Sequence, residues 1–458
     1  MGGQGSDDPA VEDEGAGTSP RTAARLELAR AAFGAFAAPF HYLAHVTRRG
    51  RVLREIREDV ERAEGRVDDP PELELPKDRP LRIFIGAAES SGEIHAANLV
   101  RRLRELARSS GAPEPDCTAI GGERLRALDV PTIADPVARA HTGFDGVLSA
   151  LPYYVGVIED AARHARATSP DVFVPVDSPA LNVPLARAVH RYGVPTCHLV
   201  APQYWGWAPW RVGPYRRAID LALTILPHEP AWYARHGVRT RHVGHPLLDE
   251  LRGVPVSTAA EDSRTLAILP GSRRGVIERN LPWMLDALGP LRERVPDLDV
   301  AILQSTDEHE ELVAGLASGS GARVSIGDLH GELAGARAAL AVSGTVLTDV
   351  LYHRLPTVVV YRVAGQRDIW GYRHVLTTPY FASTNLVAGR EVVPEHCFRG
   401  EGPRALVAEQ IADAFDDEGF RGRQREGFAR AIERLGPAGA IERAAAHVLR
   451  VATGALDG

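Results

Sequence analysis

Two adjacent arginines, Arg273 and Arg274, follow an apolar run and a short turn in the stretch LAILPGSRRGVIERN, residues 266–280. A strand that ends in a small-residue turn at a helix start exposes unpaired backbone N–H groups and the positive end of the helix dipole. With Gly271 and Ser272 leaving room and a guanidinium adding charge, such a turn is typical of an anion site for phosphate. An ordinary strand-to-helix turn with solvated arginines would show the same pattern.

Two other loops combine small residues with carboxylates. The segment VSGTVLTDVLY places Ser343, Gly344 and Thr345 at a predicted helix start, with Asp349 one turn inside the helix. Small residues let a phosphate approach the backbone, and a carboxylate at that depth could reach ribose hydroxyl groups. The loop AAESSGEIHAANL predicts further substrate contacts from Glu89, Ser91, Gly92 and Glu93.

Asp177 ends the apolar run VFVPVD and is followed by a predicted helix. A carboxylate at the end of a strand faces the ligand edge of a parallel sheet, where it could act as a general base for a hydroxyl group. The alternative is a helix N-cap, a common role for Asp and for the following Ser178. The pattern alone is compatible with both roles.

Aromatic and polar residues occupy two further predicted loops. The loop APQYWGWAPWR contains Gln203 and Trp205 among several aromatics, which could pack in a core, stack on a sugar or nucleobase, or cover an acyl chain. The stretch STNLVAGREVVPE is predicted as a loop near the end of the second sheet. It would supply Asn385, Arg390 and Glu391.

Short β-rich runs alternate with helical stretches from Leu81 onward, in two consecutive series. This alternation predicts an α/β protein with two Rossmann-like, doubly wound parallel sheets facing a cleft, in which ligands bind at the carboxyl ends of strands. We expect one domain over 81–248 and a second over 249–435. Residues 436–458 are expected to form a C-terminal helix that crosses back to the first domain.

The N-terminal region differs from the rest of the chain. Residues 1–20 are acidic and are predicted to be disordered. Residues 21–66 are predicted to form one or two helices, broken or kinked near Pro39 or Gly50. Residues 67–80 are predicted to form a linker. The apolar middle of the helical segment is too short to span a bilayer. Followed by several arginines, it could lie in a membrane interface or dock on the protein's own surface.

Composition restricts the function classes. The 458-residue chain has a formal net charge of -7, which disfavours nucleic-acid binding because there is no global excess of basic residues. Three widely separated cysteines argue against a disulfide framework or a cysteine-based zinc site and favour a reducing compartment. The acidic N-terminus does not resemble a secretory signal peptide.

The chain contains ten sequence motifs in the same order as the lipid-A-disaccharide synthase family, and it therefore resembles that family. Its members are glycosyltransferases of the GT-B fold. The most diagnostic motifs are VGHPL, LPGSRR and NLVAGREVVPE, and the resemblance covers roughly residues 81–450. It implies that UDP-2,3-diacylglucosamine and 2,3-diacylglucosamine 1-phosphate are joined with inversion into a β-1,6 disaccharide, releasing UDP. It also implies no metal or other cofactor, and peripheral association with the cytoplasmic face of the membrane. A homodimer is a further expectation.

The resemblance assigns catalytic roles to Arg273 and Asn385, and Asp177 is our candidate for the base. The sequence departs from the family pattern on the acceptor side. Gly146, Ala180 and Ala208 stand where the resemblance implies glutamate, a second aspartate and arginine, respectively. These departures leave two alternatives open, namely another UDP-sugar enzyme such as a different transferase or an epimerase, and a UDP-binding protein without catalysis.

Overall fold

Two parallel sheets form the framework of the chain, which the computed structural model describes at residues 18–139, 147–254, 256 and 263–455. In these ranges the first sheet has seven strands in the order β3-β2-β1-β4-β5-β6-β7. They are β1 (Arg82–Ala87), β2 (Asp116–Ile120), β3 (Thr132–Ala134), β4 (Val172–Val176), β5 (Cys197–Leu199), β6 (Leu221–Thr224) and β7 (Thr240–His242). Nearly all residues of the central strands β1, β4, β5 and β6 are buried, as expected when helices cover both faces of a parallel sheet.

The second sheet has six strands within the described residues, in the order β10-β9-β8-β11-β12-β13. They are β8 (Thr265–Leu269), β9 (Asp299–Gln304), β10 (Arg323–Ile326), β11 (Ala338–Val342), β12 (Thr357–Arg362) and β13 (Glu395–Phe398). All pairings are parallel. The strand order reverses between β1 and β4 in the first sheet and between β8 and β11 in the second, and these switch points are where such sheets bind ligands.

Helices connect the strands and cover both sheets. Those of the first half are α1 (Pro20–Arg62), α2 (Ser90–Ser109), α3 (Glu123–Arg126), α4 (Val147–Thr168), α5 (Pro179–His190), α6 (Tyr204–Trp207), α7 (Val212–Arg216), α8 (Glu229–Arg235) and α9 (Leu247–Glu250). Those of the second half are α10 (Arg274–Asp286), α11 (Leu288–Arg294), α12 (Glu310–Ala317), α13 (Leu329–Gly335), α14 (Val346–Tyr352), α15 (Gln366–His374), α16 (Ser383–Ala388), α17 (Arg404–Asp416), α18 (Glu418–Leu435) and α19 (Ala440–Ala452). Throughout the described ranges, no helix has the length and apolar content needed to cross a bilayer.

The N-terminal segment is one continuous helix, which selects the first of the two expectations, one helix or two. Proline removes one intrahelical hydrogen bond, and contacts with the rest of the protein hold the helix on both sides of Pro39. Glu27 accepts a hydrogen bond from Arg187 of α5 at 2.7 Å, and His45 contacts the carbonyl of Val375 at 2.7 Å. The helix begins earlier than predicted because the Ser19 hydroxyl caps it, and residues 1–17 lie outside the described part.

Two expectations of local structure are corrected. The stretch STNLVAGREVVPE is not a loop throughout, because residues 383–388 form α16 and Glu395 begins β13. The short strands β3 and β13 were not predicted, since each has few apolar residues. The segment 67–80, predicted as a linker, contains no helix or strand, and its Asp68 amide donates to the His242 carbonyl at 2.8 Å.

Several contacts join the halves of the molecule, among them the following two. The last helix, α19, packs against α2, β4 and β5 of the first half, and its buried face is largely alanine, valine and leucine. The segment after α15 reaches the loop after β5, where the Thr377 amide donates to the Gly206 carbonyl at 2.9 Å. The carboxyl edges of both sheets are therefore held in one body.

Candidate active site

The predicted anion site lies at the switch point of the second sheet. Gly271 has a φ of +102°, and an added Cβ would lie 2.9 Å from Val276 and 3.2 Å from Val342. Glycine is therefore needed there, both for its conformation and for the close approach of β11. Because Val342 ends β11, the loop that carries the arginines lies directly beside the loop that carries Ser343, Gly344 and Thr345.

Arg273 and Arg274 have different environments. Arg274 forms an ion pair with Glu278 one turn later, at 2.8 Å. Arg273 occupies the N-cap position of α10 with an extended backbone, and its exposed guanidinium forms no hydrogen bond or ion pair with any described residue. The N-terminus of a 13-residue helix and a guanidinium without a partner among the described residues therefore meet at the carboxyl edge of the second sheet. This arrangement is suited to binding an anion such as a diphosphate.

Ser343 lies in the loop after β11, and its hydroxyl donates to the Phe381 carbonyl at 2.6 Å, which joins this loop to the segment before α16. Arg390 follows α16; it is exposed, and its guanidinium lies 3.7 Å from the carboxylate of Glu426. The exposed members of the predicted set in this half are Ser272, Arg273, Gly344, Thr345, Arg390 and Glu391.

Asp177 lies at the switch point of the first sheet, directly after β4. It and Ser178 both have positive φ, +53° and +43°, a strained conformation for residues with a Cβ. The side-chain amide of Asn182 stabilises it by donating to the carbonyls of Val176 and Asp177, both at 2.8 Å. Sequence reasoning missed Asn182, although an amide in the first turn after a strand end is a recognisable signal.

Gly92 brings the segment after β1 against this strand end. An added Cβ would lie 3.0 Å from the Val176 carbonyl oxygen, so only glycine fits without displacement. Glu89 and Ser91 of the same segment are exposed, as is Gln203 after β5. Glu89 is the N-cap of α2, and Ser91 and Gly92 lie in its first turn, which corrects the predicted loop; all three lie beside Asp177 at one edge of the sheet.

Glu93 has a different role from the predicted one. Only 3% of the residue is exposed, and its carboxylate accepts the backbone N–H of Arg124 at 3.0 Å at the start of α3. The favourable contact of a carboxylate with a helix N-terminus accounts for its burial. We therefore interpret Glu93 as a residue that joins α2 to α3.

Trp205 is buried in this structure, and its substrate contact stays a prediction. It is 2% exposed, and its indole N–H donates to Glu229 at 3.2 Å. Glu229 also accepts the amides of Ile225 and Leu226, and burial raises its pKa to about 7. Trp205 therefore belongs to the core beneath the loop.

Asn385 is also buried rather than at the surface of the site. It is 0% exposed, its carbonyl accepts the amides of Val392 and Val393 at 2.7 and 2.9 Å, and its NH₂ donates to the Val393 carbonyl at 2.9 Å and to Glu395 at 3.1 Å. These contacts use its donors and acceptor within the protein. The catalytic role of Asn385 stays a prediction, and these contacts give the residue a positioning role, because they fix the loop of Arg390.

Asp349 is a buried carboxylate of α14, with 14% of its side chain exposed. Burial raises its pKa to about 7, and the nearby carboxylate of Glu250 acts in the same direction. His330 lies 4.0 Å away, and burial lowers the pKa of that imidazole. Near neutral pH, His330 is therefore largely uncharged and does not supply a counter-charge to Asp349.

We expect Asp349→Asn to change the pH dependence of stability. The folded chain holds this proton up to about pH 7, whereas an unfolded aspartate releases it near pH 4. Rising pH across this window therefore lowers the free energy of unfolding, by at most about 1.4 kcal/mol per pH unit. Asparagine removes that loss, which urea unfolding at several pH values measures. The exposed Asp297→Asn is the matched control, and an unaltered slope in Asp349→Asn would contradict the assignment.

Two of the three departures from the family pattern lie in the described residues. Ala180 is exposed in the first turn of α5, and Ala208 is buried behind α6. Gly146 lies outside the described residues. Ala180 is three residues after Asp177, and its small, exposed side chain lies at the same edge of the first sheet.

Comparison with known proteins agrees with this arrangement. The family model for lipid-A-disaccharide synthetase matches residues 83–424. Lipid-A-disaccharide synthase from Myxococcus xanthus is 35% identical over 383 residues, which cover 81% of this chain and 98% of that protein. Both alignments include the two switch points.

Solved structures share the fold at low identity. The UDP co-structure of MnaA from S. aureus has a TM-score of 0.55 and 15% identity, covering 79% of this chain and 94% of that one. The glycosyltransferase of kitacinnamycin has a TM-score of 0.52 and 15% identity, covering 81% and 99%. The expected GT-B architecture of two parallel-sheet domains is confirmed. By the extent of the family match and the identity to its members, the chain belongs to the lipid-A-disaccharide synthetase family.

Proposed function

We propose that this chain is an inverting glycosyltransferase that joins UDP-2,3-diacylglucosamine to 2,3-diacylglucosamine 1-phosphate, forming the β-1,6 lipid A disaccharide and UDP. Family membership supports the reaction, and the observation that carries the site is the uncommitted Arg273 at the start of α10. Donor binding is assigned to the second domain, and acceptor binding to the first.

The second domain would stabilise the departing UDP. As the bond between the anomeric carbon and the diphosphate oxygen breaks, negative charge grows on that oxygen. The N–H groups at the start of α10 are fixed in advance by the helix, and the exposed Arg273 guanidinium is free to pair with that oxygen, so both would stabilise the developing charge. A helix terminus contributes roughly 0.3 to 2 kcal/mol, so we assign the larger share to the arginine.

The first domain would activate the acceptor. Asp177 takes the proton of the 6-hydroxyl while that oxygen attacks the anomeric carbon from the face opposite the leaving UDP. One bond forms as the other breaks, and the configuration inverts. Asn182 supports this role because it fixes the backbone on which the carboxylate stands.

We expect Arg273→Ala to weaken UDP binding by about 10- to 100-fold, the range lost when a charge-assisted hydrogen bond is removed. Isothermal titration with UDP measures this change. Arg274→Ala is the matched control, because the neighbouring guanidinium is paired with Glu278. Equal losses in the two variants would indicate a diffuse charge effect and contradict the assignment.

The reaction itself is tested by UDP release from UDP-diacylglucosamine, with and without diacylglucosamine 1-phosphate. Acceptor-dependent release, with a disaccharide product detected by mass spectrometry, is the expected result. Release of UDP without acceptor would favour another UDP-sugar reaction, and UDP binding without any turnover would contradict catalysis.

The acylated substrates also support a proposal about location and assembly. We propose that the protein works peripherally on the cytoplasmic face of the membrane, where both acylated sugars are embedded. The homodimer expected from sequence stays a prediction, and sedimentation velocity of the full chain tests it.

A further inference from the structure

Four large apolar side chains are exposed in a row on α1. Phe33, Phe36, Phe40 and Leu43 are 71%, 74%, 69% and 67% exposed. Their spacing of three, four and three residues places them on one face of the helix. We call these four residues the apolar face of α1. Scattered exposed apolar residues need no explanation, but a contiguous row indicates a binding surface.

The opposite face of α1 is docked on the protein. The Trp210 ring lies 5.0 Å from that of Tyr42 and 5.1 Å from that of His45, measured between centroids. Arg49 donates to the Leu376 carbonyl at 2.8 Å, and Ile56 is buried. The helix is thus held by its other side, and the apolar face points outward.

The charge of this segment is strongly one-sided. Residues 28–54 contain no Asp or Glu but five arginines, although the whole chain has a net charge of -7. Arg51 and Arg54 continue the face of Phe33 and Phe36 further along the helix, and Arg48 flanks it. All three are exposed. An apolar row that continues into basic residues is complementary to an anionic lipid surface.

We propose that the apolar face of α1 inserts into the interface of an anionic bilayer, with Arg48, Arg51 and Arg54 on the headgroup phosphates. The proposal rests on the proposed function, because acylated substrates must be collected from a bilayer. A second copy of the chain is a poorer occupant, since its own residues 28–54 would bring five arginines and no carboxylate against these arginines. The family model begins at residue 83, so α1 lies outside the matched range.

Vesicle sedimentation tests the proposal with the full chain. The vesicles are phosphatidylcholine alone, or phosphatidylcholine with about a third phosphatidylglycerol. The triple variant Phe33→Ser/Phe36→Ser/Phe40→Ser is expected to bind the anionic vesicles at least about tenfold more weakly. Ile133→Ser/Leu406→Ser, which changes two exposed apolar residues elsewhere, is the matched control and should bind like the original chain.

The charge component is tested separately. Arg48→Gln/Arg51→Gln/Arg54→Gln is expected to lose about fivefold in binding to anionic vesicles for each arginine removed, and to lose the preference over phosphatidylcholine. Circular dichroism and thermal unfolding show whether each variant is folded. Binding of the phenylalanine variant equal to that of the original chain overturns the proposal.

Two further readouts separate this proposal from its alternatives. Light scattering that shows the phenylalanine variant converting a dimer to a monomer, with vesicle binding unchanged, would identify the face as a self-association surface and overturn the proposal. Turnover with substrates in detergent micelles needs no bilayer. Loss of vesicle binding with retained micellar turnover supports the proposal, whereas absent turnover in the original chain would contradict only the proposed function.

Discussion

Asp177→Asn is expected to lower acceptor-dependent UDP release by about 10²- to 10⁴-fold, the usual contribution of a general base, while UDP binding is unchanged. Asparagine tolerates positive φ, so the backbone at this strand end should keep its shape. Without a carboxylate, however, nothing there takes the proton of the acceptor hydroxyl. Initial rates of UDP release and calorimetric UDP binding measure the two effects.

Asp129→Asn is the control for this experiment, because Asp129 also has a positive φ, +55°, but lies between α3 and β3, before the edge strand of the sheet and not at a switch point. It should leave turnover unaltered. Wild-type turnover of Asp177→Asn would mean that another group is the base. Ala180→Asp in the Asp177→Asn background would then show whether a carboxylate one helical turn later can perform the reaction.

The second large effect is on stability. Asn385→Ala is expected to lower the free energy of unfolding by about 3 to 5 kcal/mol, because it leaves the buried amides of Val392 and Val393 and the carboxylate of Glu395 without their partner. Activity should fall with the folded fraction, as the loop of Arg390 loses its support. Urea unfolding combined with turnover measures both.

Ser383→Ala, at the start of the same helix, is the control and should change the free energy of unfolding by less than about 1 kcal/mol. The outcome that would support a catalytic role for Asn385 is a variant of normal stability that binds UDP and does not turn over. The buried geometry of its amide makes that result unexpected.

The sequence predicted the framework well because parallel strands are read from short apolar runs. Once β1, β4, β8 and β11 were recognised, the rule that ligands bind at carboxyl ends located Asp177 and the arginine turn without further information. Short strands with mixed residues, such as β3 and β13, lack that signal. Their pairing depends on neighbours already in the sheet.

Burial of single side chains was harder to predict. Trp205 and Asn385 look like surface residues in glycine- and proline-containing segments, but Glu229 and Glu395 accept their hydrogen bonds inside the protein. The difference between Arg273 and Arg274 was partly accessible, because Glu278 is four residues after Arg274 and such pairs form on helix surfaces.

The docking of α1 has a mechanical consequence for the whole enzyme. In order along the helix, the Glu27 carboxylate accepts a hydrogen bond from Arg187 of the first half, and Arg49 donates to the Leu376 carbonyl of the second half. Arg235 of the first half then donates to Asp59, and Arg434 near the C-terminus donates to the Val60 carbonyl. A single helix is thus bound alternately to the two halves. Opening of the cleft would therefore require some of these hydrogen bonds to lengthen or break, so the extension opposes domain opening.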